Sequence, residues 1–206
     1  GTRTEAVVVV ARVEWHGGVG LGECVPYARY GESVEGVAAL VGAQAPAVAA
    51  GATRQDLLRT LPAGAARNAL DAALWAVEAR AAGRPVWQLA GLPAPKPAVT
   101  AFTLSLGEPA SMAAAAARAA GRPLLKVKLG GEGDEERIRA VRAAAPGATL
   151  IVDANEAWRE ADLDRHLAAC AAAGVALIEQ PLPAGADAVL DGFASPVPLC
   201  ADESFH

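Results

Sequence analysis

Apolar and polar positions change their rhythm once along this chain. Residues 4–15 (TEAVVVVARVEW) are rich in β-branched side chains and predict a strand; Gly17-Gly18 turns the chain, and Val19–Cys24 returns as a second strand. Helical spacing follows. Val34–Ala50 is apolar and Ala-rich, and Gln55–Thr60 is short. Ala65–Ala82 is amphipathic, with Ala66, Leu70, Leu74 and Val77 on one face and Arg67, Asp71 and Glu78 opposite. Gly83 and Pro85 end it. The Pro-rich run Gly91–Pro97 reads as a linker, so the chain divides into regions 1–95 and 96–206.

Beyond the linker, strand and helix alternate. The expected strands are Val99–Leu106, Leu124–Leu129, Thr149–Ala154, Ala176–Gln180 and Leu199–Ala201. Between them lie helical stretches at Ala110–Ala120, Glu135–Ala145, Glu160–Ala173 and, shorter, Ala186–Gly192. Repeated βα units predict an α/β fold with a parallel sheet. Near-continuous apolar strands predict burial on both faces. A barrel and an open doubly wound sheet both fit. No G-x-G-x-x-G follows the first of these strands, which counts against a dinucleotide fold. The acidic run GGEGDEE at Gly130 would repel a phosphate.

Composition narrows the function classes. Hydrophobic residues are 53% of the 206, enough for a packed core and too many for disorder. A net charge of −5 without a basic run excludes a nucleic-acid footprint. Apolar runs such as Ala6–Ala11 are strand-sized, not membrane-sized, and no signal peptide opens the chain. Cys24, Cys170 and Cys200 form no C-x-x-C and read as buried thiols in a reducing cytosol. A catalytic cysteine is the alternative, disfavoured because no His stands in a suggestive context. Of the 18 basic residues only Lys96, Lys126 and Lys128 are lysines, two of them in K-x-K. An ammonium can be tuned to lose its proton and a guanidinium cannot.

The strand ends carry the chemistry. The second strand ends in KVKLG (Lys126, Lys128), the third in VDAN (Asp153, Asn155), the fourth in IEQPLP (Glu179) and the fifth in ADES (Asp202, Glu203). From Lys128 the intervals are 25, 26 and 23 residues, one βα unit each. In a parallel barrel such positions form one ring at the C-terminal face. Taken singly, Asp153 or Asp202 reads equally well as a helix cap, and the lysines as the solvated face of an edge strand. Glu179 interrupts an apolar strand, where a lone buried carboxylate is costly unless paired or metal-bound. Three converging carboxylates suit Mg²⁺, a hard cation, better than Zn²⁺. A lysine beside a metal and a second lysine is expected to have a lowered pKa and to act as a base. A lysine base with Mg²⁺ is a known pattern of the enolase superfamily, and these residues match it.

The motifs KVKLG, VDANEAW, IEQPLPA and CADES resemble the successive barrel motifs of the muconate-lactonizing subgroup of the enolase superfamily. GLGECVPYARYGES and LPAGAARNALDAALWAVEAR resemble the capping domain of bacterial L-Ala-D/L-Glu (dipeptide) epimerases. The likeness runs over nearly the whole chain. It implies an α+β capping domain at 1–95 and an incomplete modified TIM barrel of about five βα units at 96–206. It also implies that Asp153, Glu179 and Asp202 bind one Mg²⁺ per subunit, with Mn²⁺ admissible. Lys128 would be one acid/base, and Lys126 would assist by charge and by contact with the substrate carboxylate. Asn155 and Glu203 would stand behind the ligands. Arg3 would meet the glutamyl side-chain carboxylate, although an N-terminal arginine is ordinarily just solvated; the segment Tyr27–Tyr30 is a further candidate in the cap.

The implied activity is that of an isomerase, a cytoplasmic dipeptide epimerase of murein peptide recycling. It would move one α-proton through an enolate on a small dipeptide, with homo-oligomerisation left open. Another subgroup activity (o-succinylbenzoate synthase or muconate cycloisomerase) and a non-catalytic fragment are the alternatives. Only five of eight barrel strands are expected. The cap's first strand, the family's second lysine and its Asp-x-Asp pair find no match. The chain therefore reads as truncated at both ends, and alone it is expected to be inactive, with an open sheet edge.

Overall fold

The computed structural model describes residues 4–15 and 17–205. The chain forms two compact units, residues 1–96 and 97–206.

In the first unit, β1 (Val9–Trp15) and β2 (Gly18–Cys24) pair antiparallel, from Val9 opposite Cys24 to Trp15 opposite Gly18. The expected strand starts at residue 4. The observed one starts at Val9 because β2 ends at Cys24, leaving residues 4–8 no strand to bond. Helices α1 (Val34–Ala43), α2 (Ala45–Ala49), α3 (Arg54–Thr60), α4 (Ala65–Ala82) and α5 (Val86–Leu89) follow. The single helix expected over 34–50 breaks at Gln44, since Pro46 in the first turn of α2 has no N–H to continue α1. The hairpin lies directly on α4, whose Ala69, Ala73 and Val77 are fully buried. The approach is so close that a Cβ on Gly20 or Gly22 would sit 1.9 Å from the carbonyl oxygen of Ala73 or Ala69.

The second unit is a parallel sheet of β3 (Phe102–Leu104), β4 (Leu124–Lys128), β5 (Thr149–Asp153), β6 (Val175–Glu179) and β7 (Leu199–Cys200), in that order. Helices α6 (Pro109–Arg118), α7 (Asp134–Ala144) and α8 (Glu160–Ala172) connect the first four strands. The helix expected at 186–192 is only a 3-10 turn, Ala188–Leu190. Strictly sequential strand order is that of a barrel wall; a doubly wound sheet would reverse its order at a switch point. Right-handed crossovers then place the helices on one face.

Burial follows. Leu104, Leu125, Val127, Leu150, Val152 and Ile178 are at most 2% exposed and form the core beneath the helices. Each such side chain contributes about 1.5–3 kcal/mol by leaving water. The alternate positions Thr103, Lys126, Lys128, Ile151 and Leu177 are partly or fully exposed. In residues 97–206 one face of the sheet packs on the helices and the other presents the side chains described next.

Candidate active site

Parallel register converts the sequence intervals into a row. Lys128 stands opposite Asp153, Asp153 opposite Glu179, and Glu179 opposite Cys200. Lys126, one pleat earlier, stands opposite Ile151 and points to the same face as Lys128. Its Nζ lies 2.8 and 2.7 Å from the two oxygens of Glu179 and 2.9 Å from Asp153 Oδ2. Lys128 Nζ donates to the same Asp153 oxygen at 2.5 Å and to Asn155 Oδ1 at 2.8 Å. Asp153 Oδ1 accepts the Asn155 backbone N–H at 3.0 Å. Thus two ammonium groups and two carboxylates alternate within hydrogen-bond reach.

Asp153 is 1% exposed. Burial alone would raise its pKa, but the hydrogen bonds and charges of Lys128 and Lys126 win and hold the carboxyl below its ordinary value. The pKa of Lys126 is shifted upward. Burial works to lower its pKa, yet Glu179 and Asp153 together outweigh burial and raise it.

The predicted three-carboxylate ring is not assembled. Asp153 and Glu179 close around Lys126, whereas Asp202 is exposed, and no group of three His, Cys, Asp or Glu among the described residues could hold a metal ion. The reason is register. Asp153 and Glu179 are the last residues of β5 and β6, while Asp202 lies two residues beyond the end of β7. Glu203 opens a 3-10 turn, is half-buried, and its Oε2 is buried without a hydrogen-bond partner. Arg3 lies outside the described residues. Tyr27 and Tyr30 are exposed, their rings 5.7 Å apart. Of the cysteines, Cys24 and Cys170 are buried as expected, but Cys200 is exposed. Burial pushes the Cys170 thiol up to about 12, which removes it as a nucleophile.

The donor chemistry nevertheless fits a hard cation. Asp153 and Glu179 offer only oxygen, Asn155 adds an amide oxygen, and both carboxylates already converge on one positive centre, the Lys126 ammonium.

Three features of the site do not show in the residue pattern. Asp134 belongs to the acidic run that would repel an anion, yet it is 1% exposed. It folds back to accept the N–H groups of Gly130 and Gly131, the Trp158 indole N–H and Arg137. Arg137 also donates to Gly107 O, so one carboxylate ties together the loops that follow β3, β4 and β5. Aspartate a few residues after paired glycines is the signal that could have revealed this turn. Second, Asn155, Glu156 and Gln180 all take left-handed backbone conformations, with φ of 45°, 65° and 37°. Such strain costs about 1–3 kcal/mol per residue and gathers at functional sites. Third, the Gln180 side chain is buried and fully hydrogen-bonded.

Sequential parallel strands with charged side chains gathered at their C-terminal ends define a barrel-type α/β protein with its chemistry on the strand-end face. Residues 1–91 match the mandelate racemase / muconate lactonizing enzyme N-terminal domain, and residues 110–206 match the enolase C-terminal domain-like family. The chain belongs to the enolase superfamily, in the mandelate racemase / muconate lactonizing family. It is similar to the L-Ala-D/L-Glu epimerase of Escherichia coli (strain K12), with 49% identity over 100% of this chain and 65% of that protein. It is 44% identical to an N-acetyl-D-glutamate racemase of a Pseudoalteromonas species, over 97% of this chain and 63% of that one. Among solved structures it resembles an Agrobacterium tumefaciens enolase family member with homology to dipeptide epimerases, with bound sodium and L-Ala-L-Glu. The TM-score is 0.94 and the identity 54%, over 100% of this chain and 63% of that one. The chain thus spans slightly under two thirds of the length of these relatives.

Proposed function

We propose that the protein is an isomerase acting on dipeptides, an L-Ala-D/L-Glu-type epimerase that transfers one proton at the glutamyl α-carbon. The observation that carries the reading is the pairing of Lys128 with Asp153 and Asn155 beside a second lysine held by Asp153 and Glu179. In the reaction the Lys128 Nζ takes the α-proton. Its hydrogen bonds to Asp153 and Asn155 orient it, and Asp153 stabilises the ammonium it becomes. Lys126 stays charged, clamped by two carboxylates, and keeps its positive end near the substrate carboxylate, where negative charge grows as the proton leaves.

Asp153, Glu179 and Asp202 are the residues that would hold Mg²⁺, with Mn²⁺ as a substitute. When bound, the ion would supply further positive charge opposite that carboxylate. Inversion also needs an acid/base on the substrate's other face, and we assign none to the described residues. Arg3 is carried forward as the proposed partner of the glutamyl side-chain carboxylate, and Glu203 as a support for the metal ligands. Murein peptide recycling in the cytoplasm is the setting that a dipeptide of this kind suggests.

The two curated relatives named above act, by their names, on L-Ala-D/L-Glu and on N-acetyl-D-glutamate. Both substrates are N-acylated glutamates, so the strand-end chemistry serves either. Higher identity and the dipeptide-bound structure favour the dipeptide. A synthase of the same subgroup is the second reading: an o-succinylbenzoate synthase of Geobacillus stearothermophilus matches 40% of this chain. The test is a substrate comparison on the full protein with Mg²⁺. L-Ala-D-Glu should be converted to L-Ala-L-Glu, followed by chiral chromatography, with a higher kcat/KM than N-acetyl-D-glutamate. Turnover of N-acetyl-D-glutamate alone would replace the dipeptide in this proposal.

A further inference from the structure

Gln180 follows β6 directly, between a proposed metal ligand, Glu179, and Pro181. It is 2% exposed and its backbone is left-handed, an uncommon conformation for glutamine. Its amide oxygen accepts the Asp202 N–H at 2.9 Å and the Ser204 N–H at 3.0 Å. Its amide nitrogen donates to Leu182 O and to Ser204 Oγ, both at 2.8 Å. A primary amide has two acceptor lone pairs and two donor hydrogens, so every bond this side chain can make is made. The Gln180 backbone adds two more ties: its N–H donates to Cys200 O at 2.8 Å, and its carbonyl accepts the Glu156 N–H at 2.9 Å.

These contacts have a common target. β7 is only two residues long and pairs only with β6, through Ile178 and Glu179. Among the described residues no ladder pair extends past Cys200. Beyond Cys200 the chain is held by the Gln180 amide, which grips the backbone on both sides of Glu203. A side chain committed to four bonds, on a strained backbone, is an expensive way to terminate a strand unless the position of the next loop matters.

We infer that Gln180 is a positioning residue: it sets the peptide carrying Asp202 so that this carboxylate can join Asp153 and Glu179 on a divalent cation. The inference rests on the reading of Asp202 as a metal ligand. Gln180 touches neither substrate nor ion; it acts through the Asp202 and Ser204 backbone amides. Gln180→Leu removes all four side-chain bonds at similar volume. Gln180→Glu keeps both acceptors of the 202 and 204 N–H groups and loses the donors.

The test uses the full chain and two readouts, amide hydrogen exchange by NMR and Mn²⁺ binding by EPR. In the wild type, the amides of Asp202 and Ser204 should be protected. In Gln180→Leu both should lose protection while amides of β4 and β5 keep theirs, and Mn²⁺ affinity should fall about 10–100-fold, the usual loss when a ligand's support is removed. Gln180→Glu, whose carboxylate still accepts both N–H groups, should keep more of the 202 and 204 amide protection than Gln180→Leu, with affinity below wild type because the donors to Leu182 O and Ser204 Oγ are lost. Unprotected amides at 202 and 204 in the wild type would overturn the inference without any variant, even if Gln180→Leu failed to fold. Wild-type affinity retained in Gln180→Leu would overturn it while leaving the metal reading intact. Absence of Mn²⁺ binding by the wild type would instead remove the metal reading and this inference with it.

Discussion

The Trp158 indole nitrogen donates a 2.8 Å hydrogen bond to the carboxylate of Asp134, and both residues are 1% exposed. Through this bond the loop after β5 is fastened to the loop after β4. Asp134→Ala would leave the Gly130 and Gly131 amides and the indole N–H without their acceptor, and would take from the Arg137 guanidinium its carboxylate partner. Breaking a buried charged pair by removing one partner costs about 3–5 kcal/mol. The midpoint of urea unfolding should fall accordingly, followed by circular dichroism; a shift worth under about 1 kcal/mol, the scale of an exposed pair, would refute the role.

Gly22 is the second test of packing. A Cβ there would lie 1.9 Å from Ala69 O and 2.7 Å from Ala73 N, both backbone atoms of α4 that cannot swing aside. Gly22→Ala must push the hairpin off α4 and is expected to cost about 1–3 kcal/mol or more. Gly42→Ala, where a Cβ meets nothing within 4 Å, should be neutral or stabilising. Thermal melts of the two variants compare them directly.

The α3 capping box gives a pH dependence. Asp56 has its pKa lowered, first by the Thr53 side-chain hydrogen bond and then by the Thr53 backbone N–H. A depressed carboxyl stabilises the fold above its unfolded pKa and stops doing so as pH falls through the folded value, here below 3.8. The stability difference between wild type and Asp56→Ala should therefore be flat from about pH 5 to 8 and shrink in acid below about pH 4. Urea titrations across that range would show it. A difference that grows on acidification contradicts the assignment.

Thiol reactivity separates the cysteines. Cys200 is exposed, whereas Cys170 is 1% exposed with its thiol pushed up to about 12. At pH 8 the native protein should modify rapidly at Cys200, and Cys170 should react only after denaturant is added. Rapid native labelling of Cys170, located by peptide mass spectrometry, would contradict its burial.

How much of the fold and site can be read from the residues depends on what each position answers to. The row Lys128–Asp153–Glu179 is legible because βα units of nearly constant length in parallel register bring equivalent positions side by side. Asp202 falls outside that row: β7 stops at Cys200, and the aspartate lies two residues past the strand end. The raised pKa of Lys126 is hidden, since it depends on contact with Glu179, 53 residues away. Asp134 and Gln180 escape notice because each works through backbone N–H groups, which leave no residue type in the sequence to count.

The central claim is that Lys128 is a base at the α-carbon of a dipeptide. The direct measurement is α-proton exchange: L-Ala-D-Glu and L-Ala-L-Glu are incubated separately in D₂O with Mg²⁺ and the full protein, wild type or Lys128→Ala, and read by NMR. Wild type should exchange the glutamyl α-proton, and Lys128→Ala should lose exchange from one isomer by about 10²–10⁴-fold, the contribution of a positioned base. Exchange from both isomers undiminished in Lys128→Ala would contradict the assignment of Lys128, and no exchange in the wild type would contradict the epimerase itself.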